Sequence, residues 1–210
     1  MSEWTDTLEM LTLGNSSVVL FSTATTGLHK TDKLLAFSYQ LYDGDTAGDS
    51  GTLFLDATAE ELAPGMQYHQ ISSEIMRANA LQKDEFKEKL LGILQNRVAF
   101  TYNAPFQLKA LMVMGGGIIE MPPCEVCELP LWVKVGESKL HFIVDLPLRV
   151  AEAQMANRVP VPTWKRMLEY RGLSSKAPPG TLPVTYNAEC LARMYESLIE
   201  QPPDIEVALK

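Results

Sequence analysis

Three features of the 210-residue chain predict an α/β domain built on a mixed sheet. Three apolar runs rich in β-branched and aromatic residues follow one another in the N-terminal quarter, with turn formers between them. An amphipathic segment then leads into another short strand, and helical patterns dominate the C-terminal third. The composition, 46% hydrophobic, 21% charged and 8% aromatic, is that of an ordinary globular chain with enough length to bury a sizeable core.

Taken in order, Ser17 to Ser22 (S-V-V-L-F-S) reads as a buried central strand running into a small polar T-A-T-T-G turn. Leu34 to Tyr42 and Gly51 to Leu55 complete a three-strand meander, separated by Asp43-Gly44 and other turn formers. Asp84 to Asn96 carries Phe86, Leu90, Leu91 and Leu94 at helical spacing, with acids at its start and Arg97 just beyond its end, as the helix dipole favours. Val98 to Thr101 is a strand, and Ala104 to Met114 a helix stopped by three glycines. L-W-V-K-V-G-E-S-K-L-H-F-I-V alternates around Gly136 like a β-hairpin, and Asp145 to Asn157 reads as helix. Thr163 caps a short helix through Tyr170 that Gly172 ends. Ser174 to Pro183 is a loop, and the last helix presents Leu191, Met194, Tyr195, Leu198 and Ile199 as one apolar stripe. One domain, 1–200 with an insert at about 118–143, and a polar tail, 201–210, account for the chain.

Charge and cysteine content narrow the function. A net charge of −8 argues against a polybasic surface that binds nucleic acid or membrane by bulk charge. The basic cluster that stands out, Lys165, Arg166 and Arg171, offers contacts to a few phosphates only. No apolar run is long enough to span a membrane, and Met1 to Met10 holds three acids and no base, unlike a secretory leader, so a cytoplasmic protein is expected. Three cysteines fit a reducing compartment. Cys124-Glu-Val-Cys127 lacks the second pair that a zinc site would need, so two ordinary thiols are expected there.

Six segments, in order, resemble the motifs of the DnaQ-like (DEDDh) 3′-5′ exonucleases. V-V-L-F-S-T-A-T-T-G-L at Val18 to Leu28 is similar to the strand that runs into D-x-E-T-T-G, and Tyr68 to Ser72 to the H-G-I-T segment. V-A-F-T-Y-N-A-P-F-Q-L at Val98 to Leu108 resembles the second motif, H-N-A-x-F-D. I-V-D-L at Ile143 to Leu146, M-L-E-Y-R-G-L at Met167 to Leu173 and T-Y-N-A-E-C-L-A at Thr185 to Ala192 resemble the remaining three. The resemblance implies a ribonuclease-H-like fold: a mixed sheet flanked by helices, here with a β-hairpin-like insert.

It also implies where the chemistry would stand, and there the chain departs from the pattern. The four metal-binding acids would fall at Ser22, Ala24, Gln107 and Cys190, and the general-base histidine at Thr185. Two-metal nucleases hold Mg²⁺ or Mn²⁺ roughly 4 Å apart with carboxylates, and none of these residues supplies an anionic oxygen. A threonine hydroxyl does not titrate where a general base must. Glu189 beside Cys190 projects about 100° away on a helix. The pattern reads as natural loss of the site, so no cofactor is expected and no catalytic residue is assigned.

The retained pieces, Thr25, Thr26, Gly27, His69, Tyr102, Asn103 and Phe106, match regions that line the family's terminal-nucleotide pocket. Each also has an ordinary structural role: Gly27 in a tight turn, Phe106 in core, Asn103 and His69 in local hydrogen bonds, Tyr102 in packing. The expectation is a pseudo-exonuclease, either a protein scaffold or a non-hydrolytic binder of single-stranded nucleic-acid ends. A replication or repair assembly is one setting for it. Its apolar insert, with Pro122, Pro123, Leu129, Pro130, Leu131 and Trp132, is the candidate protein-contact surface. The alternative is a metal-dependent exonuclease with unorthodox ligands, which would need Mg²⁺ or Mn²⁺.

Overall fold

The computed structural model describes residues 17–29, 31–114, 131–135, 138–145 and 163–200. Strand β1 (Ser17–Thr25) is the axis of the molecule, and its burial explains its composition. Val18, Val19, Leu20 and Phe21 are all wholly buried, which requires apolar cover on both faces and gives a continuous run in place of alternation. It pairs antiparallel with β2 (Leu34–Asp43), which pairs with β3 (Thr46–Leu55) across a Gly44-Asp45 turn whose Gly44 has φ 63°. On its other side β1 runs parallel to β5 (Val98–Thr101).

Among the described residues the sheet has seven strands in the order β4-β3-β2-β1-β5-β7-β6, with β4 (Ala80–Leu81) parallel to β3 at one edge. At the other edge, β6 (Leu131–Val135) and β7 (Ser138–Asp145) form the expected hairpin, and β7 runs parallel to β5. These strands of the insert extend the main sheet. Asp145, where the sequence predicts the start of a helix, ends β7, and the rest of that expected helix, 146–157, lies outside the described residues, as do the rest of the insert, Cys124, Cys127 and the 201–210 tail.

Alternate residues of β1 serve different layers. Val19 and Phe21 pack with Phe86, Leu90 and Leu94 of α4 (Lys83–Leu94) and with Leu108 and Leu111 of α5 (Ala104–Lys109) and its continuation. Val18 and Leu20 pack with Met167 and Leu168 of α6 (Trp164–Tyr170) and with Tyr186, Cys190, Leu191 and Tyr195 of α7 (Pro183–Glu200). The result is three layers, helix, sheet, helix, with β1 in the middle. Burying each such aromatic or leucine side chain contributes on the order of 2 kcal/mol.

Three boundaries depart from the sequence reading. β1 continues through Thr25, because Thr23, Ala24 and Thr25 stay paired with Phe37, Ala36 and Leu34 across a bulge, so the T-A-T segment is strand end and not turn. β3 begins at Thr46, its exposed polar half held only by hairpin pairing. α5 stops at Lys109, and Ala110–Met114 forms a wider π turn.

The segment between β3 and β4 was not anticipated as structure. It folds as α1 (Ala59–Leu62), a tight turn over Ala63–Gly65, α2 (Met66–His69) and α3 (Ser73–Asn79). Thr58 and Glu61 form a reciprocal capping box on α1, and Ser72 caps α3 through the Ile75 N–H. Leu62, Ile71 and Met76 bury this segment against Ala24, Leu35 and Phe54. That packing stands it over the end of β1 as a wall. Thr163 caps α6 as expected, and Gly172, at φ 68°, closes it.

Candidate functional site

Two adjoining cavities open at the C-terminal end of β1. The larger, about 590 Å³, is lined by the β1 end and its loop, Thr23 to His29 with Asp32, by Pro64, Gly65, Tyr68 and His69 of the α1–α2 wall, and by Phe106, Pro183, Val184 and Asn187. The smaller, about 290 Å³, lies between Ser22, Thr23, Thr101, Tyr102, Gln107, Trp164, Asn187 and Leu191. Thr23, Leu28, Phe106 and Asn187 belong to both.

The loop after β1 holds itself shut. The Thr25 hydroxyl donates to the Gly27 carbonyl at 2.6 Å, and the Thr26 hydroxyl donates to Asp32 Oδ1 at 3.3 Å while accepting from the Lys33 N–H at 3.0 Å. Asp32 Oδ2 accepts from the His29 N–H, and Lys109 Nζ donates to the Leu28 carbonyl at 2.8 Å. A Cβ on Gly27 would come within 2.6 Å of the Asp32 carboxylate, so the glycine leaves room for this lock. On the opposite wall, Gly65 is closer still to its neighbours: a Cβ there would meet the Thr26 carbonyl oxygen at 2.5 Å and the His69 ring at 2.9 Å.

His69 is turned into the protein. Its Nδ1 accepts from the Ile71 N–H at 3.0 Å, which fixes the other nitrogen as the donor to the Leu62 carbonyl, also at 3.0 Å. Burial pushes its pKa below the usual histidine range, with the Leu62 carbonyl opposing the shift, so it is neutral near pH 7. Both ring nitrogens are engaged. What the ring offers the cleft is its carbon edge.

Around the smaller cavity, Gln107 is 7% exposed, and its Oε1 accepts both the Thr23 N–H at 2.8 Å and the Thr23 hydroxyl at 2.7 Å. Thr101 Oγ donates to the Phe21 carbonyl at 2.7 Å. Tyr102 packs on Trp164 with ring centroids 4.8 Å apart, and its hydroxyl accepts from the Trp164 N–H at 3.2 Å. One face of Tyr102 is therefore covered by protein. Asn103 starts α5 in a left-handed conformation, φ 56°, and Phe106 is the shared wall between the cavities.

Of the five positions where the resemblance places chemistry, Ser22 and Gln107 line the small cavity and Ala24 lines the large one. Thr185 and Cys190 line neither. The Thr185 hydroxyl meets Thr52 Oγ at 3.1 Å, in a row that continues to Ser38, and Cys190 is 1% exposed among core residues that push its thiol pKa up by burial. Glu189 is exposed, as expected. The face of α7 turned to the cavities carries Pro183, Asn187 and Leu191, four residues apart, a spacing that would have picked out Asn187 had the helix register been known. Trp164, Tyr68, Leu28 and Asp32 are further lining residues not singled out from sequence.

Among the described residues no group of three or more metal-ligating side chains comes together. Among the described residues Asp32 is the one carboxylate in the lining of either cavity, and both of its oxygens are engaged within the loop. Likewise, no helix among them is long and apolar enough to cross a membrane.

No protein-family profile matches the chain, and no curated protein matches it in sequence. Solved structures do match. E. coli exonuclease I bound to a dT13 oligonucleotide superposes with TM-score 0.61 at 13% identity, covering 91% of this chain and 43% of that one. Its zinc-bound complex with single-stranded DNA gives 0.60 at 12%, covering 91% and 42%, and the metal-free complex 0.59 at 12%, covering 92% and 41%. The chain thus spans less than half the length of these neighbours. At such identities the likeness establishes architecture, and the architecture is the ribonuclease-H-like α/β fold of exonuclease I.

Proposed function

We propose that this chain is an exonuclease-like subunit that binds the end of a single-stranded nucleic acid without cutting it and without a metal ion. The observation that carries the reading is the chemistry of the two cavities: among the described residues their lining holds hydroxyls, carboxamides, the imidazoles of His29 and His69, aromatic and aliphatic groups, and a single, internally bonded carboxylate. A two-metal phosphodiester cleavage needs several free carboxylates at one point, whereas a base can be held by stacking and hydrogen bonds alone. The large cleft offers such walls in Tyr68, 75% exposed at the rim, Leu28, 73% exposed, and Phe106. The solved neighbours that share the fold include complexes with single-stranded DNA, which is consistent with this reading.

The protein-scaffold form of the proposal draws on the insert, whose described strands are engaged in the sheet. The nucleic-acid form draws on the cleft and is the better supported. Its test is fluorescence anisotropy of a short labelled oligonucleotide in EDTA, beside a nuclease assay with Mn²⁺. Binding in EDTA with an intact strand in Mn²⁺ is the expected result. Metal-dependent release of mononucleotides would overturn the non-hydrolytic reading in favour of unorthodox ligands, and no binding in either condition would overturn the nucleic-acid reading.

A further inference from the structure

Two of the three carboxamides that line the small cavity, Gln107 and Asn187, are oriented by donors that have no alternative role. A backbone N–H can only donate, so the Thr23 N–H fixes the Gln107 oxygen toward β1 and leaves the Nε2 amino group on the other side. In the same way the Trp164 indole N–H donates to Asn187 Oδ1 at 3.3 Å and leaves Asn187 Nδ2. Among the described residues neither amino group donates to a protein acceptor, and although Gln107 as a residue is more than nine-tenths buried, its Nε2 is not sealed off from the cavity. Both residues line one cavity, with the Ser22 hydroxyl between aromatic and aliphatic walls from Tyr102, Trp164, Phe106 and Leu191.

An amino group that faces a narrow cavity is completed there by water or by a ligand's acceptor. The cavity therefore presents donors in need of acceptors. Its described lining holds no cation, so moving a phosphate into it would strip water from a charge with nothing of opposite sign to replace it. A planar, neutral group with carbonyl oxygens meets the walls and the donors together. The volume, about 290 Å³, admits a single ring of that kind.

Resting on the reading of the cleft as a nucleic-acid site, we propose that the small cavity receives one base of the strand and reads its carbonyl edge through Gln107 Nε2 and Asn187 Nδ2. Thymine and uracil, with two carbonyls each, fit a donor-only pair. Adenine, whose edge carries an amino donor and no carbonyl, leaves one amide unpaired.

The test compares short oligothymidylate with oligoadenylate of equal length in EDTA on the wild-type protein, then on Gln107→Glu and Asn187→Asp. Each variant keeps the oxygen that Thr23 or Trp164 needs and exchanges an amino group for an acceptor. Wild type should prefer the thymidylate by roughly tenfold, the worth of one or two hydrogen bonds, and each variant should lose that preference. Thymidine should compete for the site, and inorganic phosphate should not. Equal wild-type affinity for the two strands would overturn the base-reading proposal while leaving strand binding intact, and so would competition by phosphate alone. The wild-type arm decides the matter even where a variant fails to fold. Failure of both strands to bind would instead sink the underlying functional reading.

Discussion

The two cavities share Thr23, Leu28, Phe106 and Asn187, yet they treat polar groups in opposite ways. In the large cleft the polar side chains of the β1 loop and His69 are turned back on the protein: Thr25 to Gly27, Thr26 to Asp32 and Lys33, His69 to Leu62 and Ile71. In the small cavity Gln107 and Asn187 use their acceptors internally and keep their donors. The large cleft can select by shape and stacking, and the small one by hydrogen bonding. Two different kinds of site thus sit side by side on one fold.

The largest effect should come from Gln107→Leu. It deletes the acceptor shared by the Thr23 N–H and hydroxyl, at a position where both are buried, leaving them unpaired at a cost of about 2–3 kcal/mol. Urea denaturation should show a midpoint shift of that size at unchanged slope. A shift below about 0.5 kcal/mol would mean that water reaches Thr23, and that Gln107 is not held in the orientation described above.

On the other wall, Gly65→Ala tests whether the large cleft is held by close backbone approach. Its Cβ would stand 2.5 Å from the Thr26 carbonyl, a backbone atom on the facing loop that cannot rotate away. Forcing the walls apart should cost about 1–3 kcal/mol and weaken oligonucleotide binding in the same protein. If stability drops while affinity for the strand holds, the spacing between the α1–α2 wall and the β1 loop does not define the binding surface.

The same contrast explains what was legible in the sequence. β1 to β3, α4, β5, α6 and α7 announce themselves because each carries its own period or cap: Phe86, Leu90 and Leu94 on one helical face, Thr163 at an N-cap, Val18 to Phe21 as a doubly buried run. The α1–α2 wall does not, since four-residue helices have no period, and Leu62 and Ile71 gain their meaning only from Ala24, Leu35 and Phe54 across the sheet. Of the positions matched by motif, Ser22, Ala24 and Gln107, on β1 and α5, reach the cavities. Thr185 and Cys190, on α7, do not: packing of Cys190 and Tyr195 under the sheet sets the helix rotation and brings Asn187 forward. A helix register is a tertiary property, and a rotation of one position moves every side chain by about 100°.

A smaller effect is expected from pH, through His69. Burial lowers its folded-state pKa, so between that value and the unfolded value near 6.5 the unfolded chain binds more protons than the folded one. Stability should therefore be full above about pH 6.5 and fall as the pH drops through the interval. Replacing His69 by Gln should flatten this acid-side slope in thermal melts between neutral and mildly acidic pH. An unchanged slope in the variant would assign the loss to other groups and remove the case for a neutral, inward-facing ring.

The smallest effect should be at the rim. Lys33 pairs with Glu61 of the wall, but the two side chains are 53% and 29% exposed, and solvent screening leaves such a pair worth little. Glu61 has a second role: its Oε2 accepts the Thr58 N–H at 3.0 Å, closing the capping box on α1. Its carboxyl is held below the usual range first by Lys33 and then by that backbone bond. Lys33→Ala should consequently change stability by less than about 0.5 kcal/mol, whereas Glu61→Ala, which also opens the capping box, should cost about 1 kcal/mol. Oligonucleotide affinity separates the two roles further. If the wall is kept in place by its cap and by Leu62, removing Lys33 leaves the large cleft and its affinity as they were. If Lys33→Ala weakens binding as much as Glu61→Ala does, then the lysine acts on the strand directly, and the large cleft selects by charge as well as by shape.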